Sequence, residues 1–172
     1  MIPILLLLLS ALPLRAEPLA VAFGEANGIV YGMKSADVSR AESSFRRLKE
    51  AASDLREALS RVHASAARHE ATEADGDALA GAARAYERQA ASAAFDARAV
   101  EGCDEEHCGR GLRDMTDEAA EAAEAHGRLD SAWSSARVTF LSEGLRVRDL
   151  DDLIEDAAGD FRRLTGSVAT CR

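Results

Sequence analysis

The residues with the clearest potential for chemistry are two of the three cysteines, Cys103 and Cys108, which are separated by four residues. In an exported protein, a pair at this spacing most simply closes a local disulfide over a loop. The alternative is a metal site formed by Cys103, His107 and Cys108 with a neighbouring carboxylate. Zinc sites of this kind normally draw on two separated pairs of ligands, and thiols in an oxidising compartment pair with each other first. The spacing therefore favours the disulfide.

The third cysteine, Cys171, lies one residue before the end of the sequence. A bridge from Cys103 to Cys171 is the other possible pairing. In an up-and-down bundle, a last helix of about 19 residues covers about 28 Å of a rod about 48 Å long, so Cys171 should stop well short of Cys103. Because a disulfide needs Cα atoms within about 7 Å, we expect Cys171 to be unpaired or to bridge two molecules.

Histidines and aromatic residues offer a weaker signal. His69 and His126 fall on the apolar faces of predicted helices, where a lone histidine usually packs in the core, whereas His63 lies beside such a face and is expected to be solvated. His69 and His126 should be about 20 Å apart along the rod, too far to share one metal or haem. Tyr86 and Trp133 are expected to pack. We predict no cofactor.

Motifs for covalent or phosphate chemistry do not occur in the sequence. It contains no Gly-x-Ser-x-Gly, no phosphate-binding glycine loop and no His-Glu-x-x-His. Acidic pairs such as Asp117-Glu118 and Asp151-Asp152 are expected on solvent faces or in first helical turns, where they favour the helix dipole. The formal net charge is −9 and there are two lysines, Lys34 and Lys49. This composition excludes a phosphate-tracking, nucleic-acid-binding surface and favours a protein that is not an enzyme.

The N-terminus predicts export. Residues 2–14 are almost entirely apolar, too few for the roughly 20 residues of a membrane-spanning helix, and Ala16 is a suitable cleavage point. We therefore assign residues 1–16 to a signal peptide, with cleavage possible as late as Ala22. Loss of Arg15 leaves 20 basic against 30 acidic residues, a net charge of −10. The mature protein is expected to be secreted or on the cell surface, or periplasmic in a bacterium, with no transmembrane span.

The elements that must position these residues are helices. Alanine accounts for 36 of the 172 residues, and large apolar residues recur in alternating steps of three and four, without the period-two alternation of strands. After a lead-in at 17–35, the pattern predicts helices at about 36–70, 77–101, 112–143 and 149–166. Asp149 is the expected N-cap of the last helix. The sequence thus predicts an all-α fold, an elongated antiparallel three- to four-helix bundle with coiled-coil-like seams over residues 36–172.

The apolar seam of the first predicted helix is the longest. The aromatic residue Phe95 lies outside the seam of its own helix. Phe95 on the second helix is expected to cover a further helix or to form an exposed contact. The polar stretch 71–77, which contains a glycine, is expected to separate the first two helices. The first seam comprises Val38, Ala41, Phe45, Leu48, Ala52, Leu55, Leu59, Val62, Ala66 and His69.

A hydrophobic Gly-Ile-Val-Tyr segment at 28–31 precedes the long first helix, which includes Ala-Leu-Ser-Arg-Val at 58–62. With the alanine- and glutamate-rich composition, these features resemble the elongated helical-bundle surface proteins of trypanosomes, the class of the glutamic acid and alanine-rich protein and the haptoglobin-haemoglobin receptor. The resemblance implies a surface coat or receptor-like protein. It carries over no ligand-contacting residue, and the lipid-anchor signal usual in that class has no counterpart at 165–172.

Two hypotheses for function follow. The first is a non-enzymatic, extracytoplasmic interaction or coat protein that presents helix faces or the Cys103 to Cys108 loop to a protein partner of unknown identity. The alternative is a bacterial periplasmic metal- or stress-sensing protein that uses Cys103, His107 and Cys108. The alanine-rich second helix is compatible with packing inside one molecule and with a homodimer.

Overall fold

The computed structural model describes the backbone of residues 17–109, 111–143 and 148–171, and the side chains from residue 34 onward except those of 107, 148 and 149. The predicted signal peptide lies outside the described residues. Within them the chain is helical and contains no β-strand, which confirms the predicted all-α fold. The helices are α1 (Glu17–Ala66), α2 (Glu73–Ala99), α3 (Glu105–Cys108), α4 (Gly111–Ser142) and α5 (Arg148–Val168).

Helix α1 differs from its predicted bounds of 36–70 at both ends. It already begins at Glu17, so the segment 17–35 is part of the helix and not a separate lead-in. Pro18 lies in the first turn, where a missing N–H is tolerated, and no proline follows it. The helix ends at Ala66 because the backbone reverses at His69, whose φ of 57° is incompatible with continued helix.

Helix α2 begins earlier than the predicted residue 77 because its N-terminus has a capping box. The Thr72 hydroxyl accepts a hydrogen bond from the Asp75 backbone N–H at 3.3 Å, and the Asp75 carboxylate accepts one from the Thr72 N–H at 2.8 Å. These bonds satisfy two donors that a helix start leaves free. Residues 73–77, predicted as part of a polar break, therefore form the first turn and a half of α2. The helix ends at Ala99, two residues before the predicted end.

The predicted bounds of the last two long helices are close to those observed. Helix α4 lies within one residue of the predicted 112–143 at each end, and α5 extends the predicted 149–166 by one residue at its start and two at its end. Asp149 is consequently inside the first turn of α5 and is not its N-cap.

The four long helices pack as a bundle whose neighbours do not follow chain order. Helix α1 packs against both α2 and α4, and α5 packs mainly against α2 and more sparsely against α4. Within the described residues, no Cα atom of α2 comes within 8 Å of one in α4. Around the bundle the order is therefore α1, α2, α5, α4. The connection from α2 to α4 must cross one end of the bundle, and it includes the short helix α3.

The predicted seams form the core. Nine of the ten residues predicted for the first seam, from Val38 to Ala66, are at most 4% exposed. The tenth, His69, is exposed in the turn after α1, so its assignment to the seam was wrong. The core of α2 is mostly alanine, with Tyr86 as its largest fully buried side chain. Among the helices of the described ranges, none combines the length and hydropathy that a membrane span requires.

Candidate functional site

Cys103 and Cys108 form a disulfide with an S–S distance of 2.02 Å and a Cα–Cα distance of 5.7 Å, which confirms the predicted pairing. Helix α3 is the turn that brings them together. Gly102 and Gly109 flank the bridge with φ of 74° and 77°, left-handed conformations that glycine adopts without strain. Because both sulfurs are bonded to each other, they cannot serve as the thiolates of the alternative metal site with His107.

The disulfide is part of the core and not a surface clip. Cys103 and Cys108 are 3% and 2% exposed. The Cys103 N–H donates to the Val100 carbonyl at 3.0 Å, and the Cys108 N–H donates to the Asp104 carbonyl at 2.9 Å. The bridge therefore covers the end of the bundle where the chain crosses from α2 to α4.

Cys171 lies beside this disulfide loop, contrary to the prediction that it would stop well short of Cys103. Its thiol donates to the Val100 carbonyl at 3.2 Å, and the adjacent Thr170 hydroxyl accepts a hydrogen bond from the Gly102 N–H at 2.9 Å. Cys171 is half-buried and is not in a disulfide. Burial raises the pKa of this thiol, against the effect of a hydrogen bond from the Cys103 backbone, which lowers the pKa.

The position at which α5 starts explains this difference. The Trp133 indole N–H donates to the Asp151 carboxylate at 3.0 Å, so the first turn of α5 lies beside Trp133 and not beside the end of α4. From Asp151 to Cys171 the chain advances about 30 Å along the bundle. The stretch of α4 from Trp133 back to Leu112 covers about the same length. The last residues of α5 therefore reach the disulfide end.

A layer of three rings separates α2 from α4 near the middle of the bundle. The hydroxyl of Tyr86 and Nδ1 of His126 are hydrogen-bonded, and the His126 ring stacks on Phe161 with centroids 4.8 Å apart. Burial lowers the pKa of His126, opposed by Asp130, and both burial and Asp130 raise the pKa of Tyr86. The pair is consequently most stable in its neutral form, as a packed and hydrogen-bonded part of the core.

The other described histidine side chains lie near the opposite end from the disulfide. His63, predicted to be solvated, is half-buried because its ring packs edge-on against Phe140 and its Nε2 lies 3.1 Å from the Thr139 hydroxyl. His69 pairs with Glu143 at 3.0 Å. Among the side chains that the structure describes, no group of three or more His, Cys, Asp and Glu is arranged to hold a metal ion.

An open groove of about 820 Å³ runs between α4 and α5. Val138 and Leu141 on its α4 side are 72% and 56% exposed. The sequence analysis missed this surface, although apolar residues three apart and off the seam were a signal for it. Phe95, which the sequence analysis did single out, is 71% exposed on α2. The groove is lined by Asp130, Trp133, Ser134, Arg137, Val138, Leu141, Asp151, Asp152, Ile154, Glu155, Ala158 and Arg162.

No protein family model, no curated protein and no solved structure matches this chain. Two regions of the molecule are candidates for a functional site. The α4–α5 groove combines exposed apolar side chains with four acidic and two basic residues, so it suits binding. The disulfide end brings all three cysteines into one region, so it suits thiol chemistry.

Proposed function

We propose that this protein is a non-enzymatic, exported interaction module that binds a partner protein through the α4–α5 groove. The exposed pair Val138 and Leu141 at the groove carries the proposal. Single exposed apolar residues are common on protein surfaces, but two beside one groove form a patch of the kind that marks an interaction site.

The proposed architecture is an elongated bundle with coiled-coil-like seams, in which α1 and α2 are antiparallel and the neighbours α1 and α4 are parallel. Contacts from α1 to α4 advance in the same direction along both helices, from Lys49 with Glu118 to His63 with Thr139. Contacts from α1 to α2 advance in opposite directions, from Lys34 with Ala99 to Ser44 with Asp96. With 32 residues, α4 would be about 48 Å long. A rod of this shape presents its long lateral faces to partners.

The groove is available because α4 and α5 are joined mainly by long side chains. On α4, the Trp133 indole N–H donates a hydrogen bond to the Asp151 carboxylate of α5 at 3.0 Å, and the Arg137 guanidinium forms an ion pair with the same carboxylate at 2.9 Å. Beyond this cluster, none of the described side chains of α5 buries Val138 or Leu141, which stay exposed. Fully burying an aliphatic side chain of this size stabilises a complex by roughly 1.5–3 kcal/mol. A partner helix whose apolar face packs along the groove would bury both side chains and gain this stabilisation.

Charge defines the partner further. The groove lining has four carboxylates, those of Asp130, Asp151, Asp152 and Glu155, against two arginines. The whole chain has a net charge of −9, so the acidic groove would disfavour a second copy as its occupant. We infer that the occupant is a cationic amphipathic helix of another protein. The predicted homodimer remains a separate prediction that does not use this groove.

A location outside the cytoplasm is part of the proposal. The Cys103–Cys108 disulfide is typical of oxidising compartments, and the described helices include no membrane-spanning candidate. A surface coat or receptor-like role, as the trypanosome resemblance implies, is compatible with a lateral binding groove. The metal-sensing alternative has less support because its two cysteine ligands are bonded to each other.

The test is a titration of the protein into a fluorescent, roughly 18-residue Leu/Lys amphipathic helical peptide, followed by anisotropy. We expect the double variant V138S/L141S to bind at least about tenfold more weakly than wild type, equivalent to about 1.4 kcal/mol. The matched control is F95S, which removes an equally exposed apolar side chain from α2 and should leave the affinity unchanged. Equal affinities for all three proteins, or equal weakening in both variants, would contradict the proposal.

A further inference from the structure

All three cysteines of the chain meet at the end of the bundle where α2 connects to α4. Cys171 is partly buried against the core of which Cys103 and Cys108 are part, and its thiol contacts the segment that leads into Cys103. Its thiol donates to the Val100 carbonyl, which also accepts the Cys103 N–H, so the sulfur of Cys171 is held against the backbone of Cys103. A free thiol next to a disulfide is a nucleophile next to its electrophile.

The tail that carries Cys171 is fixed at this position by its own hydrogen bonds. The Gly102 N–H donates to the Thr170 hydroxyl at 2.9 Å, and the Cys171 N–H donates to the Val168 carbonyl at 3.0 Å. The tail therefore lies alongside residues 100–103. This contact holds Cys171 next to Cys103 and is not a chance approach of a free chain end.

We propose that these three residues form an intramolecular thiol–disulfide exchange site in which Cys171 attacks Cys103. The Cys171 thiol first loses its proton to solvent. A new bond forms between Cys171 Sγ and Cys103 Sγ while the Cys103–Cys108 bond breaks, and Cys108 leaves as a thiolate that takes up a proton. One disulfide and one thiol are present before and after the step, so it needs no external oxidant or reductant.

Cys103 is the attacked sulfur because the hydrogen bonds of the tail join it to residues 100–103. The tail contacts this segment at three points. The Cys171 thiol contacts Val100 and the Cys103 backbone, and the Thr170 hydroxyl contacts Gly102. Both sulfurs of the existing disulfide are almost fully buried, which shields them from dissolved thiols. Cys171 is half-buried beside the disulfide, so it does not have to enter from solvent as a dissolved thiol would.

The exchange would change what the disulfide joins. The 103–108 bridge closes a short loop around α3, whereas a 103–171 bridge would tie the end of α5 to the end of α2 and close a much longer loop over residues 103–171. A longer closed loop restricts the unfolded chain more, so the exchanged form should resist unfolding better. It would also release α3 and leave Cys108 with a free thiol.

The reaction should be slow at neutral pH and accelerate as the pH rises. Only the thiolate attacks, and burial raises the pKa of Cys171. The groups that act on it are Glu101 of the loop, which raises its pKa, and Lys34 of α1 and the Cys103 N–H, which lower it.

The first test uses the full-length C108S variant, which leaves Cys103 and Cys171 as the two thiols. Oxidation with glutathione disulfide should yield an intramolecular 103–171 bridge with release of two glutathione thiols, detected as a loss of two hydrogen atoms from the protein mass and by peptide mapping without reduction. The matched variant C103S leaves Cys108 and Cys171 and should form its bridge at least about tenfold more slowly. If C108S ends as glutathione adducts at both cysteines, or if C103S bridges as fast, the proposal is overturned.

A second test uses the wild-type protein and does not depend on how the variants fold. Samples held at about pH 8.5 and about pH 6 are acidified, unfolded and labelled with a maleimide. We expect the label to move in part from Cys171 to Cys108 in the alkaline sample, because the thiolate fraction of Cys171 rises with pH. Label confined to Cys171 at both pH values would overturn the proposal.

Discussion

Helix α4 packs against two long helices, α1 and α5, and it contacts them in different ways. Against α1 it packs closely along most of its length, and a Cβ atom added at Gly111 would lie only 3.3 Å from Val38. Against α5 the backbones approach sparsely, and the contact is made by long side chains such as Trp133. One interface is therefore a close seam, and the other is a groove bridged by a few side chains.

The difference shows how side-chain size sets helix spacing in this protein. The small core residues of α4, including Ala119, Ala122 and Ala136, allow a neighbouring backbone to approach closely. Where Trp133 projects instead, the neighbour is held further away and the space between the helices stays open. The same helix can thus contribute to a tight core and to a binding groove.

The largest expected effect compares two phenylalanines on the two sides of α4. Phe140 is fully buried against His63 of α1, and Phe161 of α5 stacks on His126. Phe140→Ala should leave a closed cavity and lower the free energy of unfolding by about 5 kcal/mol, whereas Phe161→Ala should cost nearer about 3 kcal/mol because α5 contacts α4 only sparsely and can shift to reduce the cavity. Urea unfolding followed by circular dichroism measures both. An equal or greater loss for Phe161→Ala would contradict the proposed contrast between the interfaces.

A pH titration tests the α4–α5 side. Because burial lowers the pKa of His126 below its ordinary 6.5, the unfolded chain binds a proton more readily. This contribution to stability is fully present above about pH 6.5 and is lost as the pH falls through the lower pKa of the folded protein. His126→Gln should therefore lose less stability than wild type between about pH 7.5 and about pH 5. His69→Gln is the control, since that side chain is exposed; a similar flattening there would exclude His126 as the cause.

The smallest effect concerns the ion pairs across the α1–α4 seam. Lys49 contacts Glu118 and Glu121, each at 2.7 Å, and lowers the pKa of Glu118. Its contribution is present above the ordinary glutamate pKa of 4.5 and is lost as the pH falls further. Lys49→Met should cost about 0.5–1 kcal/mol at neutral pH and less at about pH 3.

Arg61→Met is the control for Lys49→Met because the Arg61–Glu57 pair lies within α1 and spans no interface. Exposed pairs of this type contribute about 0.3–0.5 kcal/mol, so the control should change the free energy of unfolding by less than Lys49→Met does. Both are measured by urea unfolding at the two pH values. A larger loss of stability in Arg61→Met than in Lys49→Met would contradict a stabilising contribution from the ion pairs across the seam.

The core faces and the disulfide were accessible from the sequence for physical reasons that are local. Steps of three and four place Val38 to Ala66 on one side of any helix, and burial of that side follows. The spacing of Cys103 and Cys108 makes their pairing geometrically easy. The capping box at Thr72 could also be recognised in the sequence. Because Gly76 indicated a break, however, the predicted start of α2 was too late. His69 shows the limit of periodicity, because one left-handed residue ends the helix within a regular pattern.

The sequence by itself determined that this chain is helical, which faces of its helices are buried and which two cysteines pair, because each depends on neighbours within a few turns of the chain. Only the tertiary structure decided that α4 lies beside α1, that α5 starts beside Trp133 and that Cys171 reaches Cys103. An apolar stripe requires a partner but does not specify which helix supplies it. The choice depends on side-chain sizes summed over whole interfaces, and from that choice follow both the groove and the cluster of three cysteines.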